Sequence, residues 1–145
     1  MAGRGKPMSE NFMLDERLAA DSFPLGRLAL CELRLLNDSR FPWLLLVPMR
    51  ARLVEVIDLE VSDRTLLMQE LGRAAESLKK VTCCHKLNVA ALGNQVRQLH
   101  IHVIARFEGD AAWPNPVWGR GGAQPYSGEA AAEFSTEIRA TLGLR

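Results

Sequence analysis

The chain has 145 residues, enough for one domain with a sizeable core. A net charge of +1 gives no bulk electrostatic case for nucleic acid or a membrane surface, and no apolar run approaches the roughly 20 residues that a membrane helix needs. Three cysteines, two of them adjacent, do not make a disulfide framework and point to a reducing cytoplasm.

In chain order, residues 1–10 carry Gly3, Gly5 and Pro7 and no apolar core of signal-peptide type, so a flexible N-terminus is expected. A short helix is expected over 11–20, with Phe12, Leu14, Leu18 and Ala19 as contacts, broken by Asp21–Gly26. Leu28 to Leu36 reads as a strand. Asn37–Pro42 is turn chemistry, and Trp43 to Met49 is a continuous apolar strand that should be buried on both faces, making a hairpin. Ser62 or Asp63 would cap a helix to Val81, whose stripe is Leu67, Leu71, Ala74 and Leu78; Gly72 within it costs about 1 kcal/mol. Strands over Lys86–Ala91 and Gln98–Phe107, joined by a tight loop at Gly93-Asn94, should pair antiparallel. Residues 108–128 read as irregular, anchored by Trp113 and Trp118, and Glu129 to Leu142 as a terminal helix. The order β-β-α-β-β with flanking helices makes one α+β domain over 11–145, an antiparallel sheet covered on one face. Cys83-Cys84-His85 is spaced too tightly for an ordinary zinc site and reads as packed thiols at a helix end.

The most informative residues lie in the last strand. Side chains alternate along a strand, so Leu99, Ile101, Val103, Ala105 and Phe107 would line the core face and Gln98, His100 and His102 the other. Two of the chain's three histidines thus stand side by side. Their chemistry is either a nucleophile with a proton donor, or metal ligation.

This stretch, Gln98-Leu99-His100-Ile101-His102-Val103-Ile104, resembles the signature of the histidine-triad (HIT) superfamily of nucleotide hydrolases and transferases, His-x-His-x-His with apolar spacers, with glutamine at the first position. The likeness extends through Asn37-Asp38, Trp43–Pro48 and Leu87–Val96, roughly residues 28 to 107, and is nearest to HIT proteins of the diadenosine tetraphosphate hydrolase type. It implies a HIT-like fold, with a long helix on the sheet and flanking N- and C-terminal helices. It implies that His100 attacks the α-phosphorus of a nucleotide, that His102 contacts phosphate oxygens or the leaving group, and that Gln98 orients the site. The other ring nitrogen of His100 should donate to a backbone carbonyl. Asn37 and Asp38 fall on the ribose side; Asn88, Gly93, Asn94 and Gln95 fall on the phosphate side. Arg40, Arg97 and Arg106 are candidate phosphate clamps.

The expected activity is hydrolysis at the α-phosphate of a nucleoside polyphosphate or dinucleotide, with a nucleoside phosphoramidate hydrolase or a nucleotide-binding module without turnover as alternatives. No cofactor or metal is required, although a divalent cation can accompany a polyphosphate. The expected assembly is a homodimer, with no membrane or nucleic-acid partner. The metal-dependent alternative needs further ligands, and His85 precedes a different strand.

Overall fold

The computed structural model describes residues 11–145; the flexible N-terminus expected over 1–10 lies outside them. The elements are α1 (Glu16–Ala20), β1 (Ser22–Arg27), β2 (Cys31–Leu36), β3 (Trp43–Pro48), a 3-10 turn (Val56–Asp58), α2 (Val61–Thr82), β4 (Lys86–Ala90), β5 (Ile101–Arg106) and α3 (Gly128–Leu142). All strand pairings are antiparallel, in the order β1-β2-β3-β5-β4. This is an α+β, HIT-like sheet with helices packed on it, as expected, but with five strands rather than four.

The additional strand is β1, where the sequence suggests a break. Pro24 and Gly26 are tolerable there because β1 is an edge strand and its register shifts between those two residues. The helix expected over 11–20 shrinks to Glu16–Ala20, with the Asp15 side chain capping the Arg17 N–H.

Helix α2 begins at Val61, with Glu60 at its cap position, ahead of both expected caps, Ser62 and Asp63. Asp63 lies inside its first turn, buried, and accepts from Arg50 Nε at 2.8 Å. Buried Glu70 reaches from α2 to the β1–β2 turn and accepts the N–H groups of Leu30 and Cys31, both at 2.8 Å. The helix ends on Cys83 in the left-handed conformation.

Both faces of the sheet are covered, not one. On the first, Leu33, Leu35, Leu44, Leu46, Ile101, Val103 and Ala105 pack against Leu67, Ala74 and Leu78 of α2 and Ala131, Ile138 and Leu142 of α3. The period-2 and helical stripes read from the sequence both converge on this core. On the second face, Trp43, Leu45, Val47 and Ile104 are covered by Leu18 of α1 and by Phe41, Ala112 and Val117. This double cover explains why every residue of β3 is buried. The irregular segment after β5 is folded down by Asp110, which takes a bidentate ion pair from Arg106 and the backbone N–H groups of Phe107, Ala112 and Trp113.

Candidate active site

The second face holds a cavity of about 370 Å³ where it is not filled by side chains, a size suited to a small molecule. His100 and His102 line it. Strand β4 ends opposite His102, with Ala90 as its register partner. The chain therefore turns over the histidines, and Gly93, Asn94, Gln95 and Val96 form one wall. Gly93 makes that turn with φ of +62°, and a Cβ there would lie 3.3 Å from the Val96 carbonyl oxygen. Leu18 and Asp21 from the α1–β1 junction, with Leu36, Trp43, Leu45, Leu92, Trp118 and Gly119, complete the lining.

Each histidine has a partner that fixes its proton. His100 Nδ1 lies 2.6 Å from the Gln98 backbone carbonyl oxygen. A carbonyl only accepts, so Nδ1 carries a proton, and in the neutral ring Nε2 holds the lone pair. This is the carbonyl the sequence alone could not identify. His102 Nδ1 lies 2.9 Å from Trp43 Nε1. Trp43 pairs with Ile104, and His102 with Leu45, so the two rings are diagonal neighbours on one face of the β3–β5 ladder. Among the described residues no buried side-chain nitrogen or oxygen lacks a partner. Neither histidine Nε2 has a hydrogen-bond partner among the described residues, and both rings line the cavity. The rings stand edge to face, 4.8 Å between centroids.

Other expected site residues are placed elsewhere. Gln98 precedes the β5 ladder, so strand alternation does not set its direction. Its side-chain carbonyl accepts the Asp15 N–H and its amide donates to the Met13 carbonyl, both at 2.8 Å. It fastens the segment leading into α1 and is not among the cavity-lining residues. Asn37 accepts the Tyr126 N–H at 2.8 Å. Asp38 is buried, with its carboxylate engaged by the Arg40 side chain and the backbone N–H groups of Arg40 and Gln124. Burial would raise its pKa, but these donors hold it below the usual carboxylate value. Both residues hold the 120–126 segment rather than lining the cavity.

Asn88 accepts from Arg106 NH1 at 2.8 Å. Arg106, almost fully buried, lies between Asp110 and the rings of Phe41 and Trp113. Arg40 is paired with Asp38 at 2.8 Å. Neither they nor exposed Arg97 line the cavity, so no arginine faces it and its polar side chains are the amides of Asn94 and Gln95, the two imidazoles and the Asp21 carboxyl group. Cys83 is exposed, Cys84 buried, and His85 pairs with Glu108 at 3.1 Å. Among the described residues no cluster of three or more His, Cys, Asp or Glu could hold a metal ion.

Sequence reasoning missed Asp21 and the role of Trp43. The available signal for Trp43 was its place in an apolar strand next to the histidine strand. No such signal existed for Asp21, whose position depends on the unanticipated β1.

A family model described as HIT domain matches residues 17–109. No curated protein matches the chain. Among solved structures, a histidine triad (HIT) protein from Sinorhizobium meliloti 1021 is 51% identical with a TM-score of 0.89, covering 90% of this chain and 97% of that one. A histidine triad protein from Bradyrhizobium japonicum is 44% identical with a TM-score of 0.88, covering 90% and 97%. Another from Marinobacter aquaeolei VT8 is 41% identical with a TM-score of 0.88, covering 91% and 96%. With a family match across well over half its length and this agreement in sequence and fold, the chain belongs to the HIT domain family, whose members are generally nucleotide-binding hydrolases or transferases.

Proposed function

We propose that this protein hydrolyses nucleotides at the α-phosphate, with a nucleoside polyphosphate or dinucleotide of the diadenosine-polyphosphate type as substrate, through a nucleotidyl-histidine intermediate on His100. The observation that carries this reading is the 2.6 Å contact between His100 Nδ1 and the Gln98 carbonyl. It leaves the other nitrogen as a free lone pair facing the cavity, the arrangement covalent catalysis by imidazole requires. Asn94, Gln95 and the backbone around Gly93, which line the cavity, would donate to phosphate oxygens, as would His102 through Nε2. The nucleoside lies against Leu18, Leu36 and Trp43.

Asp38 has its carboxylate engaged by Arg40, so we assign the ribose hydroxyls to Asp21 instead. Gln98 supports the site through its carbonyl and through the segment it fastens. No resident cofactor is invoked; a divalent cation would arrive with the polyphosphate. A cytoplasmic location and a homodimer belong to the same proposal. No helix among the described residues is long and apolar enough to cross a membrane.

The test is a rapid quench with an adenylyl donor whose adenylyl-enzyme hydrolyses slowly, followed by mass spectrometry. An adenylyl adduct on His100 is expected. His100→Ala should abolish it and lower turnover by about a thousandfold or more while nucleotide binding persists. Full activity in that variant, or an adduct on another residue, refutes the mechanism.

A further inference from the structure

An indole N–H can donate but not accept. Trp43 Nε1 lies 2.9 Å from His102 Nδ1, so that nitrogen holds a lone pair and the proton of the neutral ring sits on Nε2. A doubly protonated ring would turn one N–H against another. The surroundings also oppose the cation. His102 is enclosed edge-on by Trp43, Trp118 and His100, with ring centroids at 5.5, 5.1 and 4.8 Å. Burial, and secondarily the neighbouring His100, push its pKa down to about 3. The other titratable groups lining the cavity are His100, just before the same strand, and Asp21, from the α1 wall; β2, β3, the 92–96 loop and the Trp118 segment contribute none.

We propose that Trp43 is a positioning residue that fixes His102 as a neutral donor through Nε2–H, so that the site offers a hydrogen bond but no proton to the leaving group and selects substrates whose leaving group departs as a stable anion. This rests on the nucleotidyl-transfer reading above.

In the first step the His100 Nε2 lone pair forms a bond to the α-phosphorus. The bond from phosphorus to the bridging oxygen breaks, and its electron pair leaves on oxygen as a phosphate anion, which needs no added proton. His100 keeps its Nδ1 proton on the Gln98 carbonyl, and the ring carries the positive charge. In the second step water attacks phosphorus, the P–N electron pair returns to Nε2, and the proton lost by water passes to solvent. An amine leaving group would have to depart as an amide anion unless protonated. His102 is held neutral, the His100 proton is held by a carbonyl, and the Gln98 amide is not an acid and is turned to Met13 and Asp15. Asp21 belongs to the wall assigned to the nucleoside. A positioned general acid contributes about 10²–10⁴-fold, so its lack should disfavour amine leaving groups by about that factor.

Two measurements on the full chain test this. In protein labelled with ¹⁵N-histidine, NMR at neutral pH should show opposite neutral tautomers, Nδ1–H for His100 and Nε2–H for His102. Trp43→Phe keeps an aromatic ring but removes the donor; His102 should then become a tautomer mixture while His100 keeps its form. His102 protonated on Nδ1, or doubly protonated at pH 6, overturns the lock. The wild-type spectrum alone decides this if Trp43→Phe does not fold. The second measurement compares an adenosine 5′-phosphoryl group attached to phosphate with one attached to an amine. A kcat/KM ratio of about 10²–10⁴ in favour of phosphate is expected; a ratio near one overturns the selection. In Trp43→Phe, kcat on the phosphate substrate should fall about threefold to tenfold, the worth of one hydrogen bond. If neither substrate turns over while the tautomers are as stated, the nucleotidyl-transfer reading and the selection fail and the lock stands.

Discussion

His100 and His102 are the same residue type, two positions apart, the second in β5 and the first just before it, yet in their neutral rings the protons sit on opposite nitrogens. The cause lies entirely in their partners: a carbonyl for His100, an indole for His102. In the neutral rings, one therefore offers a lone pair to the cavity and the other a donor. Asp21 is the remaining ionisable residue of the lining. If it holds the ribose hydroxyls, Asp21→Ala removes binding shared by ground and transition states. Steady-state kinetics should then show KM raised about tenfold with kcat within about threefold of wild type. A fall in kcat at constant KM would count against this assignment.

At the scale of elements, the site depends on a short helix with little stability of its own. Helix α1 has five residues, too few to hold itself together in water. It is held by Leu18 packing on the second core and by the two hydrogen bonds from Gln98 to the backbone at Met13 and Asp15. Since Leu18 and Asp21 line the cavity, loosening this segment should weaken binding before chemistry. Gln98→Ala is expected to raise KM threefold to about tenfold, to lower kcat far less than His100→Ala does, and to accelerate hydrogen exchange at the Asp15 amide. A variant as inactive as His100→Ala, with unchanged exchange, would give the Gln98 side chain a direct part in the chemistry.

At the scale of the molecule, two properties follow from how the second face is closed and which edges stay open. The Asp110 carboxylate is nearly buried with Arg106. Burial by itself would raise its pKa, but the Arg106 guanidinium and the backbone N–H groups of Ala112, Phe107 and Trp113 hold it well below the usual carboxylate value. The sign follows directly. The unfolded chain takes up a proton at about pH 4 and the folded one only at lower pH, so the stabilisation is complete above about pH 4 and is lost as the pH falls through the folded pKa. His102 acts earlier in the same direction. Its folded pKa of about 3 lies below the unfolded value of about 6.5, so acidification below about 6.5 already favours the unfolded chain. Urea midpoints should thus decline from about pH 6.5 downward. In Asp110→Asn the further loss below pH 4 should shrink, on a lower stability at pH 7; an unchanged acid limb would show that this pair does not govern it.

One sheet edge is β4, whose Val89 is half exposed, and Val56, Ile57, Val61 and Met68 are exposed apolar side chains of the 3-10 turn and α2. A twofold dimer that continues the sheet through β4 and buries these side chains would cover that edge. Light scattering at micromolar concentration should give twice the chain mass, and Met68→Glu should shift the protein toward monomer. A wild-type monomer would refute the assembly.

The sequence determined what depends on local period. The alternation through Leu99–Ala105 placed the core on one face and the histidines on the other, and the α2 stripe and the β2–β3 hairpin fold as their spacing requires; β4 and β5 pair antiparallel as expected, but residues 91–100 form a long connection over the cavity in place of a tight loop at Gly93-Asn94. The Gln98-x-His100-x-His102 pattern marked the site because two like polar residues at strand spacing must share a face. Tertiary structure decided which polar groups face one another. Asn37, Asp38, Asn88 and Arg106 carry the same chemistry in sequence as true site residues do, yet their partners lie 2 to 89 positions away and engage them elsewhere. Strand β1 forms despite Pro24 and Gly26 because an edge position asks less of the backbone, and its formation brings Asp21 to the cavity. The proton position on His102 depends on an indole 59 residues away. Hydrogen-bond partnership is set by the register of strands distant in sequence, and no local pattern encodes it.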